Sequence, residues 1–123
     1  MDMAGTDTLG PPRLVFLVDD EERNLRLFEM AIKAMGFEMM MFPDGQKALD
    51  AILGGVTPDL ILSDVMMPEL DGFSLCARLK ADSRTCRIPL VLVTALDDMD
   101  SKVRGLEAGA DDFLIKPFSA VEL

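Results

Sequence analysis

Acidic residues stand where two apolar segments of the sequence end. Asp19 and Asp20 directly follow the apolar run 14–18, and Asp64 follows the run 60–62 after a single serine. Carboxylate oxygens without a histidine or thiolate beside them suit a hard cation, and Mg²⁺ is the cation most often held by one or two carboxylates. Two unit charges about 4 Å apart repel by about 4 kcal/mol at an effective dielectric of 20. If the three aspartates converge, they therefore require a bound cation.

Two further residues carry groups that a phosphoryl site needs. Thr94 ends the apolar run 90–93 with a hydroxyl, and Lys116 follows the short segment 112–115 with an ammonium group. A divalent ion, an ammonium and a hydroxyl donor around one carboxylate form a pocket for a phosphoryl group, with an aspartate as its acceptor. The residue types therefore predict phosphoryl chemistry at a Mg²⁺ site.

The elements that must position these residues alternate along the chain. Continuous apolar runs without polar alternation are typical of strands covered on both faces, and helical spacings such as that of Leu25, Phe28, Ile32 and Met35 predict amphipathic helices. The predicted strands are 14–18, 37–42, 60–62, 90–93 and 112–115. The predicted helices are one around 25–35 and others at 44–53, 73–81 and 98–108. Leu53 is expected on the inward face of the second helix, and Val103 and Leu106 share one face of the fourth.

This alternation predicts the fold class α/β, a flavodoxin-like doubly wound sheet of five parallel strands in the order 2-1-3-4-5. In such a sheet the binding crevice lies beyond the carboxyl ends of the strands, where the winding reverses. The reversal falls between the first and third strands, so Asp19, Asp20 and Asp64 are expected to meet there.

The chain is expected to form one domain. Residues 1–12, which end in Gly10-Pro11-Pro12, are expected to be a flexible lead-in, and residues 13–123 the domain itself. A last helix is expected to begin near Ser119 and to be truncated, because the sequence ends at Leu123. Gly72, before the third helix, is interpreted as backbone punctuation.

The composition excludes several classes of function. Lys plus Arg is 12 and Asp plus Glu is 22, so the net charge is −10 and direct nucleic-acid binding is not expected. The chain has no histidine, so any phosphohistidine must belong to a partner. No apolar stretch approaches the roughly 20 residues that cross a bilayer. We expect a cytoplasmic protein without membrane contact, in which Cys76 and Cys86 are reduced thiols.

Four motifs together resemble the receiver domain of two-component response regulators. They are V-D-D-E at 18–21, D-L-I-L-S-D-V-M-M-P-E-L-D-G at 59–72, V-T-A at 93–95 and F-L-I-K-P-F at 113–118. The resemblance covers residues 14–123, with each motif at the expected end of its element. It implies that Asp64 accepts a phosphoryl group from the phosphohistidine of a kinase.

The resemblance also implies the roles of the surrounding residues. Asp20 corresponds to a direct Mg²⁺ ligand, Asp19 to a partner acting mainly through water, and the backbone carbonyl of Met66 completes the metal set with Asp64. Lys116 corresponds to the lysine that pairs with the phosphoryl oxygens. Two residues form the switch, Thr94 with its mobile hydroxyl and Phe113 with the ring that follows it.

The partners implied by the resemblance are a sensor histidine kinase or phosphotransfer protein and an output domain, either covalently attached or separate. A homodimer is a further expectation. The domain is expected to catalyse only its own phosphorylation and dephosphorylation, and to signal through the surface of the fourth helix and fifth strand. Segments 94–97 and 103–114 are most similar to receivers attached to domains of cyclic-di-GMP synthesis or breakdown.

Other classes fit the sequence less well. An aspartate-dependent phosphohydrolase needs a D-x-D pair after the first strand, where Asp19 and Asp20 are adjacent. A nucleotide or flavin binder needs a phosphate loop there, and this chain has D-D-E-E. A pseudo-receiver that docks to partners without phosphorylation stays open as the alternative.

Overall fold

The computed structural model of the chain describes residues 13–94 and 99–115, which form a parallel sheet connected by helices. The strands are β1 (Leu14–Val18), β2 (Glu38–Phe42), β3 (Leu60–Asp64), β4 (Leu90–Thr94) and β5 (Asp112–Ile115). The helices are α1 (Glu22–Ala34), α2 (Gly45–Leu53), α3 (Gly72–Ala81) and α4 (Met99–Glu107). The sheet order is β2-β1-β3-β4-β5, which confirms the predicted fold. The predicted lead-in 1–12 and truncated last helix lie outside the described residues.

The parallel register aligns the carboxyl ends of the strands at one edge of the sheet. Val18 of β1 pairs with Ser63 of β3, so the residues that follow each of them are neighbours across the two strands. Asp64 pairs with Val93 of β4, one residue before Thr94. The strand register alone therefore brings Asp19, Asp64 and Thr94 to the same edge of the sheet.

Both faces of the central strands β1, β3 and β4 are buried, which explains their continuous apolar runs. One face packs against α2 and α3 through a cluster that includes Phe16, Val18, Ile61, Leu90 and Leu92. The opposite face packs against α1 through a smaller cluster. Its buried members are Val15, Leu17, Phe28, Ile32, Leu62 and Val93. A cavity of about 210 Å³ opens on this second face, between the sheet and the end of α1.

Four positions are more exposed than the helical pattern predicted. Met35 is 42% exposed because α1 ends at Ala34 and the chain turns away there toward β2. Leu53 is 52% exposed, since it is the last residue of α2 and Ile52 takes the inward position. On α4, Val103 and Leu106 are exposed, and the buried positions within residues 100–107 are Ser101 and Gly105. Among the described helices, none has the length and apolar character required to cross a bilayer.

Candidate functional site

Three carboxylates meet at the carboxyl ends of β1 and β3. Asp19, Asp20 and Asp64 each place one carboxylate oxygen so that the three oxygens lie within 4.8 Å of one another. Asp19 is fully buried, Asp64 is 8% exposed and Asp20 lies at the surface. The cluster therefore opens to solvent on one side, and the predicted convergence is confirmed.

Backbone hydrogen bonds hold the two buried carboxylates. The Glu21 amide donates to Oδ1 of Asp19 at 2.9 Å, and the Asp19 amide donates to the Phe42 carbonyl at 3.1 Å. The Val65 amide donates to Oδ1 of Asp64 at 2.8 Å. Each carboxylate is thus oriented by the main chain that follows its strand, which is the rigid support that a binding site needs.

The donor set of this cluster fits a hard divalent cation. Every ligand atom in it is a carboxylate oxygen, and the repulsion among the three groups is relieved by positive charge. Met66 follows Asp64 by two residues, and its side chain is 63% exposed. Because a thioether is a soft ligand, a metal role for Met66 would involve its backbone carbonyl, as the resemblance implies, and that role stays a prediction.

The predicted switch residues lie on the adjacent strands β4 and β5. Thr94 is 1% exposed at the end of β4, in register with Ile115 of β5. Phe113 is half-buried beneath α4, where a Cβ placed on Gly105 would lie 3.0 Å from Cδ2 of the Phe113 ring. Lys116 follows Ile115 in the chain but lies outside the described residues, so its predicted role stays a prediction.

The contact of α4 with α3 was not predicted from the sequence. The Arg104 guanidinium carbon lies 4.4 Å from the centroid of the Phe73 ring, at the start of α3. This cation–π contact joins the helix above Phe113 to the helix that follows the β3–α3 loop. A lone arginine on a helix carries no sequence signal for such a contact.

Gly72 has a stricter role than punctuation. A Cβ at this residue would overlap the carbonyl oxygen of Asp64, and the Gly72 amide donates to the Val65 carbonyl at 2.9 Å. The start of α3 is therefore packed directly on the backbone of the candidate phosphoacceptor. The Asp-Gly pair at the helix start was visible in the sequence, but the approach to Asp64 was not.

Comparison with known proteins matches the part of the chain that contains this site to one protein family. The family model for the response regulator receiver domain matches residues 15–123. Response regulator PleD of Caulobacter vibrioides (strain NA1000 / CB15N) is 48% identical over 109 residues, covering 89% of this chain and 24% of PleD. The chain thus spans about a quarter of the length of this relative.

Solved structures show the same fold. A crystal structure from Chloroflexus aurantiacus J-10-fl, described as a response regulator, is 34% identical with a TM-score of 0.86, covering 91% of each chain. The Mn²⁺-bound form of response regulator Rcp1 is 26% identical with a TM-score of 0.80, covering 91% of this chain and 86% of Rcp1. A divalent ion is therefore recorded in a protein of the same architecture.

Proposed function

The chain belongs to the response regulator receiver family, and on that basis we propose that it takes a phosphoryl group from a partner's phosphohistidine onto Asp64. The partner is a sensor histidine kinase or a phosphotransfer protein. The observation that carries the proposal is the convergence of Asp19, Asp20 and Asp64 at the carboxyl ends of β1 and β3. A pseudo-receiver has no need to keep three repelling carboxylates together.

The proposed reaction is an in-line displacement at phosphorus. A carboxylate oxygen of Asp64 forms the new O–P bond while the N–P bond to the partner's imidazole breaks, and the departing nitrogen keeps the electron pair. Bound Mg²⁺, held by Asp19, Asp20, Asp64 and the Met66 carbonyl, would supply positive charge to the phosphoryl oxygens. The chain itself contributes position and charge rather than an acid or base.

Three groups of the chain act on the acceptor carboxylate or on the phosphoryl oxygens. The Val65 amide holds one oxygen of Asp64, which limits the rotation of the carboxylate. The Thr94 hydroxyl, at the end of the adjacent strand, donates a hydrogen bond to the transferred group. The Lys116 ammonium pairs with a second phosphoryl oxygen.

Phosphorylation would be communicated through the second switch residue. As Thr94 moves to the phosphoryl group, it vacates space that the Phe113 ring can fill, which shifts an existing equilibrium between two conformations. The close approach of Gly105 to Phe113 supports this route, because a ring that moves under α4 must change the packing of that helix. The readout is an altered surface on α4 and β5.

The output is proposed to be synthesis or breakdown of cyclic-di-GMP, in a domain covalently attached to the receiver or in a separate protein. The support is the resemblance of segments 94–97 and 103–114 to receivers of that type. Homodimer formation, a cytoplasmic site of action and the absence of enzymatic activity on other substrates remain predictions. Assay of the full-length protein for cyclic-di-GMP turnover, with and without phosphorylation, tests the output.

Intact-mass spectrometry after incubation with acetyl phosphate and Mg²⁺ tests phosphotransfer itself. The wild-type protein should gain the mass of one phosphoryl group, and the adduct should be absent from Asp64→Asn and from wild type treated with EDTA. Glu69→Gln is the matched control, since Glu69 is an exposed acid in the same loop and lies outside the carboxylate cluster. An unmodified wild type, or an adduct that persists in Asp64→Asn, would favour the pseudo-receiver.

A further inference from the structure

A second glycine, Gly45, lies in close contact with the loop that follows Asp64. Gly45 is the first residue of α2, and a Cβ built on it would lie 2.6 Å from the carbonyl oxygen of Leu70. Real Cβ contacts essentially never fall below 3.0 Å, so a methyl group would force α2 and this carbonyl apart by at least 3.0 − 2.6 = 0.4 Å. The atom in the way is backbone and cannot rotate aside. The position of α2 thus depends on the absence of a side chain at Gly45.

The loop that Gly45 contacts, residues 65–71, has little freedom to absorb a displacement. Its residues Met67 and Leu70 are anchored in the core cluster. Between them, Pro68 has its φ fixed by the pyrrolidine ring, and Glu69 has a φ of 64°, in the narrow left-handed region. A displacement at Leu70 is therefore transmitted along the loop to its neighbouring residues, because the loop cannot absorb it.

The carboxyl end of the same loop packs against the backbone of Asp64. Leu70 precedes Gly72 by two residues, and Gly72 packs on the Asp64 carbonyl while its amide donates to the Val65 carbonyl. Asp71 between them is the N-cap of α3, and its side chain accepts from the Ser74 amide at 2.7 Å. One continuous chain of backbone contacts therefore runs from α2 through the loop to the phosphoacceptor.

We propose that Gly45 is a positioning residue for the phosphoacceptor site, because its contact with Leu70 sets the loop that holds the Met66 carbonyl and Asp64 in place. The inference rests on the proposed function. A metal site tolerates misplacement of only about 0.5 Å, and loss of an outer support commonly weakens metal binding about tenfold or more. A residue 19 positions before Asp64 would thus control Mg²⁺ affinity.

Gly45→Ala tests the proposal, with Gly54→Ala as the matched control at the other end of the same helix. Gly54 has a φ of −79°, and a Cβ there meets only oxygens of α2 itself, the nearest at 3.2 Å. Alanine favours helix over glycine at both positions, which offsets part of the cost of the close contact in Gly45→Ala. We expect the Mg²⁺ dissociation constant to rise about tenfold in Gly45→Ala and to stay at the wild-type value in Gly54→Ala. Unfolding by urea without metal is measured separately for each.

Nuclear magnetic resonance of the metal-free protein supplies a readout that a purely structural role would not move. The amide signals of Val65 and Gly72 should shift in Gly45→Ala and remain unchanged in Gly54→Ala. Unchanged signals together with a wild-type dissociation constant would overturn the inference, whatever the stability of the variant. If wild type itself binds no Mg²⁺, the proposed function fails, whereas the amide signals still decide whether Gly45 positions the loop.

A second pair of variants tests the stiffness of the loop without touching the Gly45 contact. Glu69→Gly and Glu69→Gln remove the same charge, but only glycine frees the backbone at a φ of 64°. The Mg²⁺ dissociation constant of Glu69→Gly should exceed that of Glu69→Gln. Equal constants would contradict transmission through a rigid loop, and this comparison remains available if Gly45→Ala does not fold.

Discussion

Asp20→Asn should stabilise the metal-free protein and weaken Mg²⁺ binding at the same time. Asp20 is the exposed member of a cluster in which three carboxylate oxygens lie within 4.8 Å of one another. Replacing it with asparagine keeps the size of the side chain and removes two repelling pairs, those with Asp19 and Asp64. The same change removes a negatively charged ligand, so the two effects have opposite signs.

The magnitude of the stabilisation follows from the oxygen separation. At 4.8 Å, the upper limit of these separations, two unit charges in water repel by about 0.9 kcal/mol, which is 332/(80 × 4.8). Screening at physiological ionic strength, with a Debye length of about 8 Å, reduces this to about 0.5 kcal/mol per pair. Two pairs give about 1 kcal/mol, and the dielectric constant of water is appropriate because Asp20 is exposed.

Urea unfolding in EDTA and in a Mg²⁺ series measures both effects. Without metal, the free energy of unfolding of Asp20→Asn should exceed that of wild type by about 1 kcal/mol, and the difference should fall to less than half in 1 M salt, where the Debye length is about 3 Å. With Mg²⁺, the wild type should gain more stability than the variant, because ligand binding stabilises by RT ln(1 + [L]/Kd).

Glu38→Gln controls for the general loss of negative charge, since Glu38 is exposed at the amino end of β2, away from the cluster. A metal-free Asp20→Asn that is less stable than wild type, or that gains no more than Glu38→Gln, would refute the electrostatic reasoning. A gain that does not respond to salt would also contradict it.

Two further predictions concern the amino ends of β4 and β5 and the buried thiol. The Lys80 ammonium donates to the carbonyls of Cys86 and Ile88 and to Asp111 at 3.3, 2.8 and 3.0 Å. Lys80→Met should therefore lower the free energy of unfolding at pH 7 by about 1–3 kcal/mol in urea titrations. An unchanged stability of this variant would contradict the prediction. Burial alone would raise the pKa of Asp111, but hydrogen bonds from the Leu90 amide and Lys80 lower it overall. The ionised Asp111 therefore contributes its full stabilisation of the fold above the ordinary aspartate pKa of about 4. The difference in unfolding free energy between Lys80→Met and wild type should shrink as the pH falls below that value. Burial raises the pKa of the Cys76 thiol to about 11, so a thiol reagent at about pH 8 should modify native Cys86 and reach Cys76 only on unfolding; equal labelling rates in the native protein would refute this.

The order and type of the elements could be predicted from the sequence because those signals are local. Strands covered on both faces need apolar residues at successive positions, as in β1, and α1 needs a 3.6-residue period, so each pattern is readable within one segment. The predicted end of β3 was short by two residues, since Ser63 and Asp64 are polar yet lie inside the strand. Ser63 and Asp64 are buried because β1 and β4 flank β3, and the local sequence of β3 does not reveal those neighbours.

The main residues of the candidate site could also be predicted from the sequence. The residue types of Asp19, Asp20 and Asp64, together with the sheet order, were sufficient for their convergence, because parallel strands place their carboxyl ends at one edge. Thr94 follows from the same rule. The position of the Lys116 amine is not described, and its part in the site remains a prediction.

By itself, the sequence determined which elements form, how they alternate and which charged groups end the strands. Only the tertiary structure decided that Gly45 lies against the Leu70 carbonyl, that Gly72 lies against the Asp64 carbonyl, and that Arg104 lies over Phe73. The physical reason is that periodicity records which face of a segment avoids water, whereas close backbone approaches depend on how two segments distant in the chain are packed. Gly45 and Leu70 are 25 residues apart, and neither residue type signals that contact.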